Sequence, residues 1–478
     1  MNATFHDILL GRRKVFITDA EITEYNVKDI LNFALGTHIL NLEEEEYLYW
    51  YRRGFQPILE RTKKRNDFIN NKVVENHADE IVEFKNGYFL TQPAFYTARS
   101  EDKTEAVKEL NEYLYRSNKQ VADNKVVDWF HTVGVGVLFV KSIDDEEMPV
   151  VAYSVDPRQA FVAYSLNPGN EPLMGVNMVV DGNKTFFDVY TKNKYFKLSG
   201  GSTGIIVSTD KPIEATAIDL LEVRDNPLGE IPIIEYRYNA LNMSAFESVI
   251  PLLDAINIVM SNRADGVEQF IQSLAVAVNC QFDDETTLED IKKRGIIALK
   301  STEGNKADFR ILTEQLDQTQ TQVLVDYMYE QVLRICSMPS TTKGGVSTSD
   351  TGAAVLARDG WYQADAAARN TEDLFKESNK YFDRIFLKIL KKKKGIDLSI
   401  SDFELSFVRN ETANVQSKAQ ALQTLLAAGL NPELAFAKSG ISNDPVNDVK
   451  MSEKWLNLIW GDPKVEVIEK DTDVGEPM

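Results

Sequence analysis

Apolar residues recur at threes and fours through most of the first ~125 residues, so this part of the chain is read as mainly helical. The stretch NLEEEEYLYWYRRGFQPIL (41–59) opens on an acidic run that fits a helix N-terminus, and it breaks at Gly54 and Pro57. Residues 102–133 place Val107, Leu110, Leu114, Val121 and Trp129 close to helical spacing. From 133 to 240 the pattern changes to short β-rich runs such as VGVGVLFVKS, AFVAYS and IPIIEYRY. Turn signals separate them at Asn167-Pro168-Gly169, Asp181-Gly182-Asn183 and Ser199-Gly200-Gly201, which predicts antiparallel hairpins.

The helical period then returns. Ser244, followed by Glu247, reads as a capping box ahead of Phe246, Val249, Leu253, Ile256, Met260, Val267, Phe270 and Leu274. A helix over 244–274 would be about 45 Å long at 1.5 Å per residue. Pro251 marks either a kink in it or its real start. A small insert, 275–316, mixes strand-like AVAVNCQF, IIALKS and FRIL with a short acidic-capped helix, DETTLEDIKKRG. A second helix over 317–338 carries Leu324, Met328, Gln331 and Ile335 along one stripe and ends at Pro339. A loop, 339–352, leads into a third helix over 353–394 that stops at Gly395, with Gly360 as a kink. Residues 396–410 alternate as a strand, short helices follow, and the tail from Gly461 is acidic.

Composition narrows the class. The 478 residues suggest roughly two to four domains. Hydrophobic residues at 43% and charged residues at 26% are ordinary for a globular protein. No apolar run approaches the ~20 residues of a bilayer span, so no membrane association is expected. The N-terminal MNATFHDILLGRRK lacks an apolar core before a small-residue cleavage site, so secretion is not expected. Cys280 and Cys336 form no disulfide framework and fit a reducing compartment. A net charge of −20 argues against gripping a phosphate backbone through a basic face.

The candidate chemistry is thin. His6, His38, His77 and His131 are scattered without HxxxH or CxxC spacing, so neither a metal nor a cofactor is expected. Gly134-Val135-Gly136 lies inside a strand-like run and lacks the third glycine of a dinucleotide loop. Lys343-Gly344-Gly345-Val346 matches the start of a lysine-first phosphate loop, but Ser347 and Thr348 stand where Gly and Lys belong. It also follows a helix and Pro339 instead of a buried strand. Carboxylate runs such as Asp144 to Glu147 and Asp283 to Glu285 lie in polar stretches that suit solvated faces better than acid–base pairs. No GxSxG or Ser/His/Asp pattern is present, and no enzyme is expected. The loop over 339–352 is longer than connections in compact domains usually are, which marks it as a functional candidate.

The order of elements resembles the portal (head-to-tail connector) proteins of tailed bacteriophages, in the branch from long-tailed phages of Gram-positive hosts. YLYWYRRGFQPILERTKKRN (47–66) and NKVVENHADEIVEFKNGYFLTQPAFY (71–96) are similar to that family's N-terminal segment. RICSMPSTTKGGVSTSDTGAAVLAR resembles the place where the family has a proline, a short glycine-containing loop and a helix start. FELSFVRNETANVQSKAQALQTL resembles its strand-to-helix step, with Thr412 and Ala413 where proline is usual.

The resemblance implies an α+β, portal-type fold with a mixed α/β wing of antiparallel strands (1–243 and 353–420), the latter part built on a long kinked helix. It implies two long stem helices (244–274 and 317–338) flanking a small α/β clip (275–316), a tunnel loop (339–352), a helical crown (421–460) and an acidic tail (461–478). It further implies a dodecameric or tridecameric ring in the virion, at the portal vertex of the capsid, after assembly in the host cytoplasm. Double-stranded DNA would pass through without sequence specificity. The implied partners are terminase, a head-completion (adaptor) protein, and scaffolding and major capsid proteins. On that mapping Thr341, Thr342, Lys343, Gly344, Gly345, Val346, Ser347, Thr348 and Ser349 face the DNA, and Lys292, Lys293 and Arg294 meet a partner at the clip. The alternatives are another phage capsid assembly protein that closes no ring, or a DNA-processing ATPase or nuclease.

Overall fold

The computed structural model describes residues 11–63, 69–181, 184–200, 218–271, 274–278, 280–282, 299–301, 308–312, 319–340, 360–407, 415–442 and 444–460. The chain divides into two units. The larger comprises Met1–Glu46, Val82–Ala245 and Thr341–Met478, and the smaller Tyr47–Ile81 and Phe246–Ser340.

In the larger unit, alternating residues build a six-stranded sheet from β1 (Val15–Ile17), β5 (Ala160–Ser165), β6 (Pro172–Asp181), β7 (Lys184–Tyr190), β8 (Lys194–Gly200) and β9 (Ile218–Asp225), in that spatial order. Every neighbouring pair is antiparallel except β1 with β5, which is parallel. The Asn167-Pro168-Gly169 signal forms a turn, with Gly169 at φ +103° and the Asn170 amide bonded to the Asn167 carbonyl at 3.0 Å. Helix α1 (Val27–Arg52) buries Ile30, Leu31, Ala34 and Leu35 in one core with Ile17, Phe161, Met174 and Val176. Burying such a side chain contributes about 1.5–3 kcal/mol.

A second sheet has the order β10 (Ile233–Arg237), β3 (Val135–Ser142), β4 (Val150–Val155). Its core is shared with α2 (His77–Phe89, from Val82 onward in this unit), α3 (Thr104–Arg116), α4 (Lys119–Val133) and the helix Trp361–Lys394. That 34-residue helix places Phe375, Phe382, Phe386 and Leu390 along one buried stripe. A two-stranded pairing joins β2 (Phe95–Ala98) to β15 (Phe403–Ser406), antiparallel. Three short helices, Val415–Ala427, Pro432–Ser439 and Pro445–Trp460, follow.

Several expectations need correction. The acidic run of 43–46 lies inside α1 instead of starting it. Arg12 and Arg13 hold Glu44 at 2.9 and 2.8 Å, and Arg158 holds Glu46 at 2.6 Å, so tertiary ion pairs replace the helix dipole as the partner. The 102–133 segment is two helices, parted at Asn118, whose backbone is left-handed (φ 60°). Gly360 is the left-handed residue before Trp361, at φ +86°, and the expected helical turns over 353–359 lie outside the described residues. Among the described residues of the 396–410 segment, only Phe403–Ser406 is strand. The Gly134–Gly136 pair serves close packing: a Cβ at Gly134 would lie 2.0 Å from the Asn242 carbonyl oxygen, and one at Gly136 would lie 2.3 Å from that of Val126.

The smaller unit has two antiparallel strand pairs, Leu274–Val278 with Asp308–Leu312 and Cys280–Phe282 with Leu299–Ser301. They stand in the chain between α5 (Ile250–Ile271) and α6 (Thr319–Ile335). The helices are narrower than 244–274 and 317–338. A 3-10 turn, Glu247–Val249, with Phe246 as its N-cap, precedes α5, so Ser244 does not cap the helix. Pro251 sits in the first turn, where its missing N–H costs nothing.

Candidate functional site

In the smaller unit the polar groups converge on the two long helices. Helix α5 buries Ile250, Leu253 and Ile256, and one turn later its buried face becomes polar: Asn257, Ser261 and Asp265 are 0%, 0% and 3% exposed. Four-residue spacing puts these three on one side of the helix. A segment with no helix or strand of its own, residues 69–76, lies along them, every second amide turned to the helix. The Glu75 amide donates to Asn257 Oδ1 at 2.8 Å, the Val73 amide to Ser261 Oγ at 2.9 Å, and the Asn71 amide to Asp265 Oδ1 at 2.7 Å.

Side chains close the ends of this ladder. Asn257 Nδ2 donates to Gln56 Oε1, and Gln56 Nε2 donates to the Tyr51 carbonyl at 3.2 Å and to Asn76 Oδ1 at 3.0 Å. At the other end Asp265 pairs with Lys63 and, at 3.3 Å, with Arg61. Asn71 Nδ2 donates to Asp265 Oδ1 at 3.0 Å and to Glu268 Oε2 at 2.8 Å. Burial pushes the Asp265 carboxyl up, but the donors from Lys63 and Asn71 outweigh it and hold the group below the usual carboxylate range.

The segment then enters α2 at His77, which is bonded on both ring nitrogens. Nδ1 meets Glu80 Oε2 at 2.7 Å and Nε2 meets Glu75 Oε2 at 3.2 Å. Tyr329 of α6 lies over the imidazole at a centroid distance of 4.5 Å and donates from its hydroxyl to Glu80 Oε1 at 2.5 Å. Burial disfavours the imidazolium, yet the bonds to Glu80 and then Glu75 dominate, so His77 titrates above its ordinary value.

The exposed side of both helices carries large apolar residues among polar ones. On α6, Val325, Val332 and Leu333 are buried, while Val323, Leu324, Tyr327 and Ile335 are 63%, 49%, 60% and 52% exposed. Ile258 and Val267 of α5 are likewise exposed. This changes the sequence reading: Leu324 and Ile335 of the expected stripe, and Val267 of α5, lie on the open side. The polar stripe at 257, 261 and 265 escaped that reading because polar residues at helical spacing suggest solvent. Its signal was continuity with Leu253 at the same four-residue interval.

The sequence candidates Lys292, Lys293 and Arg294, and Thr341 through Ser349, lie outside the described residues. Among the described residues no group of three His, Cys, Asp or Glu side chains is placed to hold a metal ion, and no helix is long and apolar enough to cross a membrane. The arrangement assembles no nucleophile with a base. It fixes two helices and leaves their outer faces free for apolar contact.

A family model described as phage portal protein, SPP1 Gp6-like, matches residues 36–456. No curated protein sequence matches the chain.

Proposed function

Given that this chain belongs to the phage portal protein family, SPP1 Gp6-like, we propose that copies of it close into a ring at one capsid vertex and that α5 and α6 form its stem. Exposed Val323, Leu324, Tyr327 and Ile335 on α6 carry this reading. One helix with two apolar sides, one buried within its own unit and one open, suits stem-to-stem contact between neighbouring copies. The strand pairs between the helices would then be the clip, with Lys292, Lys293 and Arg294 meeting terminase or the adaptor protein.

DNA passage follows from weak contact. Each tight phosphate contact would resist movement, and a chain of net charge −20 offers few of them. Residues 339–352, between α6 and the helix Trp361–Lys394 in the chain, would be the tunnel loop. Lys343 is its cation for transient phosphate contact, and Gly344 and Gly345 give it freedom to change shape as DNA moves.

Two results test this. Leu324→Asp combined with Tyr327→Asp is expected to leave helix content intact and to shift the protein from rings to single chains in mass measurement and electron microscopy. Rings that survive the double change would remove α6 from the subunit contact. Deleting 343–348 is expected to leave rings assembled while DNA packaging or retention falls; heads filled normally would remove the loop from the mechanism.

A further inference from the structure

We infer that Asn257, Ser261 and Asp265 are positioning residues that hold α5 in the wall of the DNA channel by gripping residues 69–76 as a strap; the inference rests on the ring reading above. The geometry suits a ladder. Two residues of extended chain advance about 6.6 Å and four residues of helix about 6.0 Å, so successive rungs stay aligned. The rungs at 71, 73 and 75 meet the helix at 265, 261 and 257, antiparallel to it.

Three features separate positioning from simple cohesion. First, each rung ends on a main-chain amide of the strap, so the helix side chains set the register whatever side chain the strap carries at 73 or 75, and the Asn71 side chain adds to it only at the Asp265 end. Second, slippage is blocked at one end. The next position up the stripe is Leu253, which has no acceptor, so moving the strap one turn that way would strand a buried amide. Third, the other end is locked by charge. Asp265 takes the Asn71 amide and side chain together with Arg61 and Lys63, and it is almost wholly buried. An apolar stripe would hold an extended segment in many registers; matched donors and acceptors allow one. A stem helix fixed in one pose keeps every copy's contribution to the channel wall alike.

The test compares Ser261→Ala, which removes the central acceptor, with Ser261→Thr, which keeps a hydroxyl. Amide exchange on the assembled protein is expected to show Val73 protection falling by up to roughly tenfold in the alanine variant, the equivalent of one hydrogen bond. Threonine should restore it. With subunit number and melting temperature near wild type, the alanine variant should package several-fold less DNA and the threonine variant the normal amount. Unchanged exchange at Val73 would overturn the strap. Lost protection with undiminished packaging would overturn its positioning role. Wild-type chains that close no ring would overturn the ring reading and with it the channel pose, whatever the exchange at Val73 shows.

Discussion

Lys119→Ala is expected to destabilise the larger unit by about 3–5 kcal/mol, the usual cost of stripping one partner from a buried ion pair. Lys119 is 3% exposed and pairs with Asp123 one turn along α4, itself 7% exposed. Its ammonium lies 4.6, 5.5 and 5.6 Å from the ring centroids of Phe382, Phe375 and Tyr236, so aromatic faces surround the charge in place of water. Alanine would leave the Asp123 carboxyl, which burial already pushes up, buried without its cation and its hydrogen-bond donor, and would open a cavity among three rings.

A second carboxyl depends on the same lysine. Asp383 is pushed up to about 7 by burial, against a hydrogen bond from Tyr96 and the field of Lys119. Thermal or urea unfolding of Lys119→Ala measures the loss. Lys119→Met with Asp123→Leu removes both charges and should recover most of it, because a well-packed apolar pair replaces an ion pair without an unpaired remainder. A single variant as stable as wild type, or a double variant no better than the single one, would refute the account.

The second large effect is a pH dependence. Glu45 sits within α1, 2% exposed, and its Oε2 has no hydrogen-bond partner. Burial pushes its carboxyl from 4.5 up to about 8; Arg12 opposes the shift and Asp156 and Glu235 add to it. Arg12 is already engaged with Glu44 and, at 3.0 Å, with the Val133 carbonyl. Because the folded value is the higher one, the unfolded chain releases this proton first. The stability linked to it is complete below pH 4.5 and is lost progressively as pH rises toward 8. Over that window the loss is on the order of 4 kcal/mol. Glu45→Gln should therefore match wild type near pH 4.5, be more stable near pH 8, and show a flatter melting profile between them. Parallel profiles for the two proteins would show that Glu45 keeps a charge in the fold.

Much of this architecture was legible in the chain. The return of the helical period after Phe246, the insert of short strand runs and the final glycine at 395 indicated where the long helices lie, since periodicity is a local property, although α5 begins six residues later than 244. The antiparallel hairpins between 133 and 240 were equally local, because each pairing is closed by its own turn. The portal resemblance came from the same order of elements and is supported by the family match over residues 36–456.

What periodicity and turn chemistry settle is which segments become helices and strands, and in what order. Only the tertiary structure decided which distant segments meet. Nothing local links residues 15–17 to 163–165 in a parallel pair, or 95–98 to 403–406. Nothing local shows that, of four consecutive glutamates, Glu44 would go to Arg12 and Arg13, Glu46 to Arg158 and Glu45 into the core, with Glu43 left exposed. The polar stripe of α5 is the sharpest case. Nothing in the spacing of Asn257, Ser261 and Asp265 separates them from a solvated face; a segment some two hundred residues earlier supplies the amides that bury them. A side chain's spacing is written in the chain, whereas its partner, and hence whether a polar group is a surface or a core, exists only once the chain has folded.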